Sequence, residues 1–380
     1  MKNIIFYLIL FTITSCNQIP DDIDIKAAEG IITGKVNSAN GTTAIGAAHI
    51  FAFDDTNKTI FSTYSDSEGN FSLSAPEGKR TIYIQTGTGA NFRTDFSTTI
   101  IANQTSTVPE ATTRLKQVAK LGFMEGVFDN TDELLTNMGY NITQINDYKT
   151  MNIYDIVYLK VGFDIKFYGP QIFPVLSTFV SNGGNIYASN WAATYLVGGD
   201  LYPTDCNMPG GFIPDDKLCV KWQYNTTEPT PFSQVLNERL KKAVGFSDLN
   251  LVIAKGSDSY INSHDALYWE TLIKDNDRSY LLKTKNFSDT NAATVNVGNA
   301  ANDGWKTICV KATNGNSLTV RVPQNIAAIQ IGNGAQAGSC SGNPKSGTVY
   351  YSVFNSDGQN PAATNLEKNM KIIKSCILDF

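Results

Sequence analysis

Over residues 30–36, 48–53, 59–64, 70–73 and 80–85 apolar and polar positions alternate, and Gly, Asn, Asp or Ser bounds each run. Period-two alternation between turn residues predicts the strands of a small antiparallel sandwich. From residue 118 the period changes. Residues 118–124, 141–145, 156–160 and 185–189 read as strands, while 130–138 and 171–181 read as helices. The second helix puts Phe173, Leu176, Phe179 and Val180 on one face and closes at Asn182-Gly183-Gly184, a C-terminal stop signal. Apolar strands alternating with helices predict a doubly wound parallel sheet covered on both faces. The pattern is therefore multidomain, an all-β sandwich over residues 28–115 followed by an α/β domain over 118–380. Within the latter, residues of about 200–345 form a Gly-, Asn- and Pro-rich insertion with short strands at 307–311 and 318–322.

The chain opens with Met1-Lys2-Asn3, an apolar run over 4–14, and Ser15-Cys16. A basic start, a short apolar stretch and a small residue before the cut are the pattern of a secretory leader. Ile13-Thr14-Ser15-Cys16 resembles a lipobox, which implies a signal peptide over 1–15, lipidation at Cys16 and a membrane partner reached through the lipid. The competing reading is a conventional leader with an incidental Cys16. Residues 16–27, with Pro20, Asp21, Asp22 and Asp24, read as a solvated tether. Acidic residues behind the cysteine are similar to the surface-export signal of Bacteroidetes lipoproteins, which implies the outer face of the outer membrane.

The 380 residues are 42% hydrophobic and 17% charged, enough for more than one core. A net charge of −5 without a lysine or arginine cluster excludes a nucleic-acid partner. Of six cysteines, five remain after Cys16, an odd number for an oxidising compartment. Local spacing favours disulfides Cys206–Cys219 and Cys309–Cys340, with Cys376 a buried core thiol. The rival reading is a metal site; the lack of a CxxC pair and the presence of only His49 and His264 weigh against zinc. No metal and no cofactor is expected.

Gly34-Lys35-Val36, Gly46-Ala47-Ala48-His49-Ile50, residues 65–73 and Pro76-Glu77-Gly78 stand in an order that resembles the carboxypeptidase regulatory-like domain. The resemblance implies a transthyretin-type or Ig-like sandwich serving as spacer or binding module. Asp66 and Gly69 make a tight turn, and Phe71 and Leu73 face the same way on the next strand. His49, between apolar residues, reads as a structural histidine before a ligand. Asp54, Asp55, Asp66 and Glu68 read as solvated turn residues, without EF-hand spacing.

Met138-Gly139-Tyr140, Tyr154-Asp155-Ile156-Val157, residues 179–186 and the late run 347–354 resemble the class I glutamine amidotransferase-like superfamily, with a flavodoxin-like sheet. In that superfamily a nucleophilic cysteine sits on the elbow after the strand equivalent to 185–189, and a histidine follows the late strand. Here the elbow reads Ser189-Asn190-Trp191-Ala192 and the base position is Asn355. A nucleophile needs a base within hydrogen-bond reach, so the resemblance implies a domain without that chemistry. Two other readings stay open: Ser189 as a nucleophile with His264, and a glycan- or peptide-directed hydrolase using carboxylates such as Glu125 or Asp164. A phosphate-cradling loop for flavin at 126–131 is opposed by Asp129 and Asp132, which repel anions; Asn130 or Thr131 is expected to cap the helix instead. Trp191, Trp222, Tyr224, Trp269 and Trp305 either line a ligand surface or pack the insertion on the core. The expected function is a surface-anchored, non-catalytic binding or scaffold module whose partner is an envelope protein or a glycan.

Overall fold

A computed structural model describes residues 28–126, 129–160, 170–198, 211–214, 216–223, 231–251, 253, 258–285, 304–312, 317–326, 330–331, 335–339, 347–354 and 363–380. The leader, Cys16 and the tether lie outside them. The protein is β-rich, with several sheets.

The N-terminal strands are β1 (Glu29–Lys35), β2 (His49–Phe53), β3 (Thr59–Tyr64), β4 (Asn70–Pro76), β5 (Gly78–Gln85), β6 (Phe92–Ile100), β7 (Thr105–Thr107) and β8 (Lys116–Gln117). One small sheet has the order β4-β1-β7, and β3-β2-β5-β6-β8 belong to a larger one. Phe71, Leu73 and Ala75 of β4 are buried while Ser72 and Ser74 are exposed, as alternation predicts. The β3–β4 turn closes as expected. The Asp66 carboxylate accepts from the amides of Glu68 (2.9 Å) and Asn70 (2.8 Å), and Gly69 adopts φ +82°, a conformation that costs glycine nothing.

The parallel core consists of β9 (Leu121–Met124), β10 (Ile142–Gln144), β11 (Ile156–Leu159), β12 (Asn185–Ser189) and β23 (Val349–Ser352). Their spatial order is β10-β9-β11-β12-β23, with every pair parallel. Every residue of β9, β11, β12 and β23 is buried. The associated helices are α1 (Thr131–Asn137), α2 (Ile172–Ser181), α3 (Ala193–Val197), α4 (Glu238–Val244) and α5 (Ala363–Leu378). Helix α2 ends as its glycines predict: Gly183 takes φ +102° and the Gly184 amide donates to the Phe179 carbonyl at 2.9 Å.

The insertion divides between two sheets. Strands β14 (Phe232–Val235), β15 (Asp248–Asn250), β17 (Trp269–Lys274) and β18 (Ser279–Thr284) extend the parallel core beyond β23 in antiparallel fashion, and β13 (Leu218–Gln223) pairs with β16 (Asp258–His264) beside them. Strands β19 (Trp305–Ala312), β20 (Ser317–Pro323), β21 (Gln330–Ile331) and β22 (Ala335–Ser339) join the large N-terminal sheet instead, through β21 beside β3. That sheet folds over itself. Val320, Val322 and Ile326 form one apolar cluster with Phe51, Phe53, Ile60 and Tyr83, so β2 is buried at every position.

The two halves share a continuous apolar core. Backbone and side-chain bonds also tie them: the Asn40 amide side chain donates to the Asn137 carbonyl at 2.7 Å, and the Thr88 amide to the Phe380 carbonyl at 3.1 Å.

Candidate functional site

Parallel strands leave their carboxyl ends on one edge, and ligands in such sheets bind outside those ends where the strand order reverses. Here the order reverses at β9, whose neighbours β10 and β11 lie on opposite sides. The loops after β9, β11 and β12 therefore define the place to look, and they carry Glu125, Asp129, Lys160 and Asn190.

The elbow after β12 holds its strained shape. Asn190 adopts φ +45°, a left-handed conformation that Asn tolerates better than most side chains and that clusters at functional turns. Residues Asn190–Ala192 form a short 3-10 turn leading into α3. The Tyr351 hydroxyl, from β23, donates to the Asn190 carbonyl at 3.2 Å. Ser189, one position earlier, is fully buried, and its hydroxyl donates to the Asp129 carboxylate.

Asp129 is itself 2% exposed and accepts from the Thr131 amide at 2.9 Å as well as from the Thr131 hydroxyl. The residue expected to oppose a phosphate loop thus starts α1. Asn130 stands at the N-cap position of α1, as expected, but its side chain makes no capping bond, and the Asp129 carboxylate accepts from the Thr131 amide instead. A carboxylate that accepts from amide and hydroxyl donors at a helix start satisfies groups that burial would otherwise leave unpaired.

Lys160, 6% exposed, follows β11. Its ammonium lies 2.8 Å from Asp132 and 3.5 Å from Glu125. Burial pulls its pKa down, but the neighbouring Asp132, Glu125 and Asp129 carboxylates outweigh that and raise it, so Lys160 stays a cation. Glu125 is therefore held as one partner of an ion pair.

His264 accepts or donates at Thr271 Oγ1, 2.9 Å from its Nε2, on the antiparallel extension. Ser189 and His264 share no hydrogen bond, and the Ser189 hydroxyl is committed to Asp129. The serine-nucleophile reading lacks the contact it requires. His49 is a core residue, 3% exposed, stacked at 4.9 Å on Phe51 and 4.7 Å on Tyr64. Burial, reinforced by the Arg239 charge, pulls its pKa down to about 3.

Of the tryptophans, Trp269 is 1% exposed within the core, so it packs rather than lining a ligand surface. Trp191 is half-buried against the same core, and Trp305 stands edge-on to Tyr83 at 5.8 Å. The side chains of Trp222 and Cys309 and all of Asp164, Cys206, Tyr224, Cys340 and Asn355 lie outside the described residues. Cys219 is buried on β13, and Cys376 is the free cysteine among the described residues, also buried. No group of three His, Cys, Asp or Glu side chains among the described residues can hold a metal ion.

A second feature lies between the halves. A cavity of about 440 Å³ is lined by the β1 end and the 41–47 loop on one side and by α4, β18, β23 and α5 on the other. At its wall Asp379 meets Arg239 at 3.1 Å, Lys283 at 3.0 Å and the Tyr350 hydroxyl at 2.7 Å. Burial pushes the Asp379 carboxyl up, but these partners overcome it and hold it at about 2. Of the cavity residues, Cys376 was expected to be a buried thiol and Glu68 a solvated turn residue, while Arg239, Lys283, Lys374 and Asp379 were not singled out by sequence. They are scattered over the chain, and only the fold assembles them.

No family profile and no curated protein matches the chain. Similar solved structures include the minor pilin GBS52 of Streptococcus agalactiae, 17% identical over 24% of this chain and 46% of that one, with a TM-score of 0.18. A DUF3823 family protein of Parabacteroides merdae is 14% identical over 24% of this chain and 48% of its own, at 0.19. A cytoplasmic protein of Salmonella typhimurium is 10% identical over 79% of this chain and 96% of its own, at 0.34. The chain spans less than half of the first two. At these scores the architecture rests on the sheet topology alone. No helix among the described residues is long and apolar enough to cross a membrane.

Proposed function

We propose that this chain is a non-catalytic binding module tethered at the cell envelope, built from a carboxypeptidase regulatory-like sandwich and a silent amidotransferase-like domain. The observation that carries the proposal is Asn190. It occupies the strained elbow, at φ +45° after a central strand, where the resembled superfamily places its cysteine. An amide side chain is no nucleophile, and the neighbouring Ser189 hydroxyl is buried and bound to Asp129. The order β10-β9-β11-β12-β23, which is 2-1-3-4-5 within the parallel set, supports a flavodoxin-like sheet. The cavity between the halves supplies room for a ligand. Lipidation at Cys16 and exposure at the outer membrane are part of the same proposal and rest on the leader sequence.

The test is turnover. The purified mature chain, incubated with glycan and peptide panels and followed by mass spectrometry, is expected to release no product. Product formation that disappears in Glu125→Gln or Asp164→Asn would overturn the proposal in favour of a carboxylate hydrolase.

A further inference from the structure

The cavity between the sandwich and the α/β half has a charge that the rest of the molecule does not share. The chain carries a net charge of −5. The cavity is lined by five cationic side chains, Lys35, Arg239, Lys283, Lys371 and Lys374, against the three carboxylates Glu68, Glu110 and Asp379. Concentrating cations in a low-dielectric recess of an acidic protein is a use of charge that folding alone does not require.

Pairing accounts for some of these charges. Arg239 and Lys283 serve Asp379, and Lys371 lies 3.5 Å from Glu68. Glu110 accepts from the Asn37 side chain at 3.2 Å. Lys35 and Lys374 have no hydrogen bond or ion pair among the described residues. Lys374 is half-buried on α5, one turn from Lys371. Burial and the Lys371 charge pull its pKa down against the opposing effect of Glu367, the signature of a cation short of a counter-charge.

The walls are set by close backbone approach and by polar groups fit for hydroxyls. A Cβ on Gly46 would come within 2.2 Å of the Ala243 carbonyl oxygen, so the sandwich loop and α4 touch without room for a side chain. Arg239 lines the cavity and keeps 36% of its side-chain surface accessible. Thr43 and Ser67 also line the space, whereas the Asn237 side chain is bonded to Glu270 and the Leu240 amide and the Ser375 hydroxyl donates to the Lys371 carbonyl. Its volume of about 440 Å³ falls in the range of small-molecule sites.

We propose that this cavity binds a small polyhydroxylated ligand bearing an oxyanion, with Lys374 as the receiving cation and Lys35 on the sandwich wall. Carboxylate and phosphate share the chemistry that an ammonium recognises. The inference rests on the binding-module reading and names its ligand class. The Arg239–Asp379–Lys283 cluster is the fixed wall, two cations sharing one carboxylate with a net positive charge left over, and Lys374 is the group whose charge a ligand completes.

The test is calorimetric titration of the full mature chain with galacturonate, glucose 6-phosphate, inorganic phosphate and neutral galactose. At least one of the three anions is expected to bind with a Kd under about 1 mM while galactose does not. Lys374→Met should weaken that binding by about tenfold or more with an unchanged unfolding midpoint; Lys35→Met supplies a second variant if the first fails to fold. Binding of galacturonate without either phosphate would assign the oxyanion to an acidic sugar, and the reverse to a phosphorylated one. No anion binding, equal binding of galactose, or anion binding indifferent to both lysine variants would overturn the proposal. Such a failure is distinct from failure of the non-catalytic reading, which turnover of glycans or peptides decides.

Discussion

Tyr351 on β23 donates its hydroxyl to the carbonyl of Asn190 at 3.2 Å, so the last parallel strand clamps the elbow that follows its neighbour β12. The elbow is thus a supported piece of backbone. Both residues are buried, and removing the donor leaves a buried carbonyl without this partner. Tyr351→Phe is expected to cost about 1–2 kcal/mol. Asn190→Gly should be more stable than Asn190→Ala by about 1 kcal/mol, because alanine resists positive φ. Urea unfolding of the three variants checks both statements, and equal stability of the glycine and alanine forms would contradict the strain.

His49 gives the fold a pH dependence of definite sign. Its pKa is 6.5 when unfolded and about 3 in the fold, so between those values the unfolded chain binds the extra proton. Stability from the neutral ring is complete above pH 6.5 and is lost as pH falls, with a slope of up to about 1.4 kcal/mol per pH unit. Between pH 6.5 and 4.5 the protein should lose more stability than His49→Phe does. Parallel losses in the two proteins would show that the buried ring is not the source.

Trp305 links the returning hairpin to the sandwich. It meets Tyr83 edge-on at 5.8 Å, and the Arg93 guanidinium sits 4.6 Å from its ring centre. Trp305→Ala should destabilise the protein by about 2 kcal/mol, through lost packing and cation–π attraction. Hydrogen exchange should then rise in β2 and β5, whose outer faces the hairpin covers, while β9 and β12 stay protected. Uniform loss of protection would place the hairpin outside the sandwich's own stability.

The strands that alternate cleanly or lie between turn residues were legible: β3 and β12 fall on their predicted residues, and α2 ends at its glycines. The turn at Asp66 and Gly69 was legible for the same local reason. The destination of β19–β22 was not, because β21 pairs with β3 across most of the chain, and pairing partners leave no local pattern. A trace of it exists in β2, whose His49-Ile50-Phe51-Ala52-Phe53 has no polar face left for solvent and so announces a cover on both sides. At the candidate site, the absence of cysteine at the elbow was readable from Ser189-Asn190-Trp191, whereas the tie from Ser189 to Asp129 depends on two loops meeting. Lys374 and Asp379 carry no local signal in the sequence. Only the approach of α5 to α4 and the sandwich loop turns them into cavity walls.

The most direct test of the account is membrane-impermeant cross-linking on intact cells, followed by mass spectrometry of what is joined to the chain. The account predicts that the wild-type protein is reached from outside and joined to a defined envelope protein or glycan, and that Cys16→Ser is lost from the membrane fraction. A chain that is labelled only after the cells are broken, or that stays membrane-bound without Cys16, would contradict it.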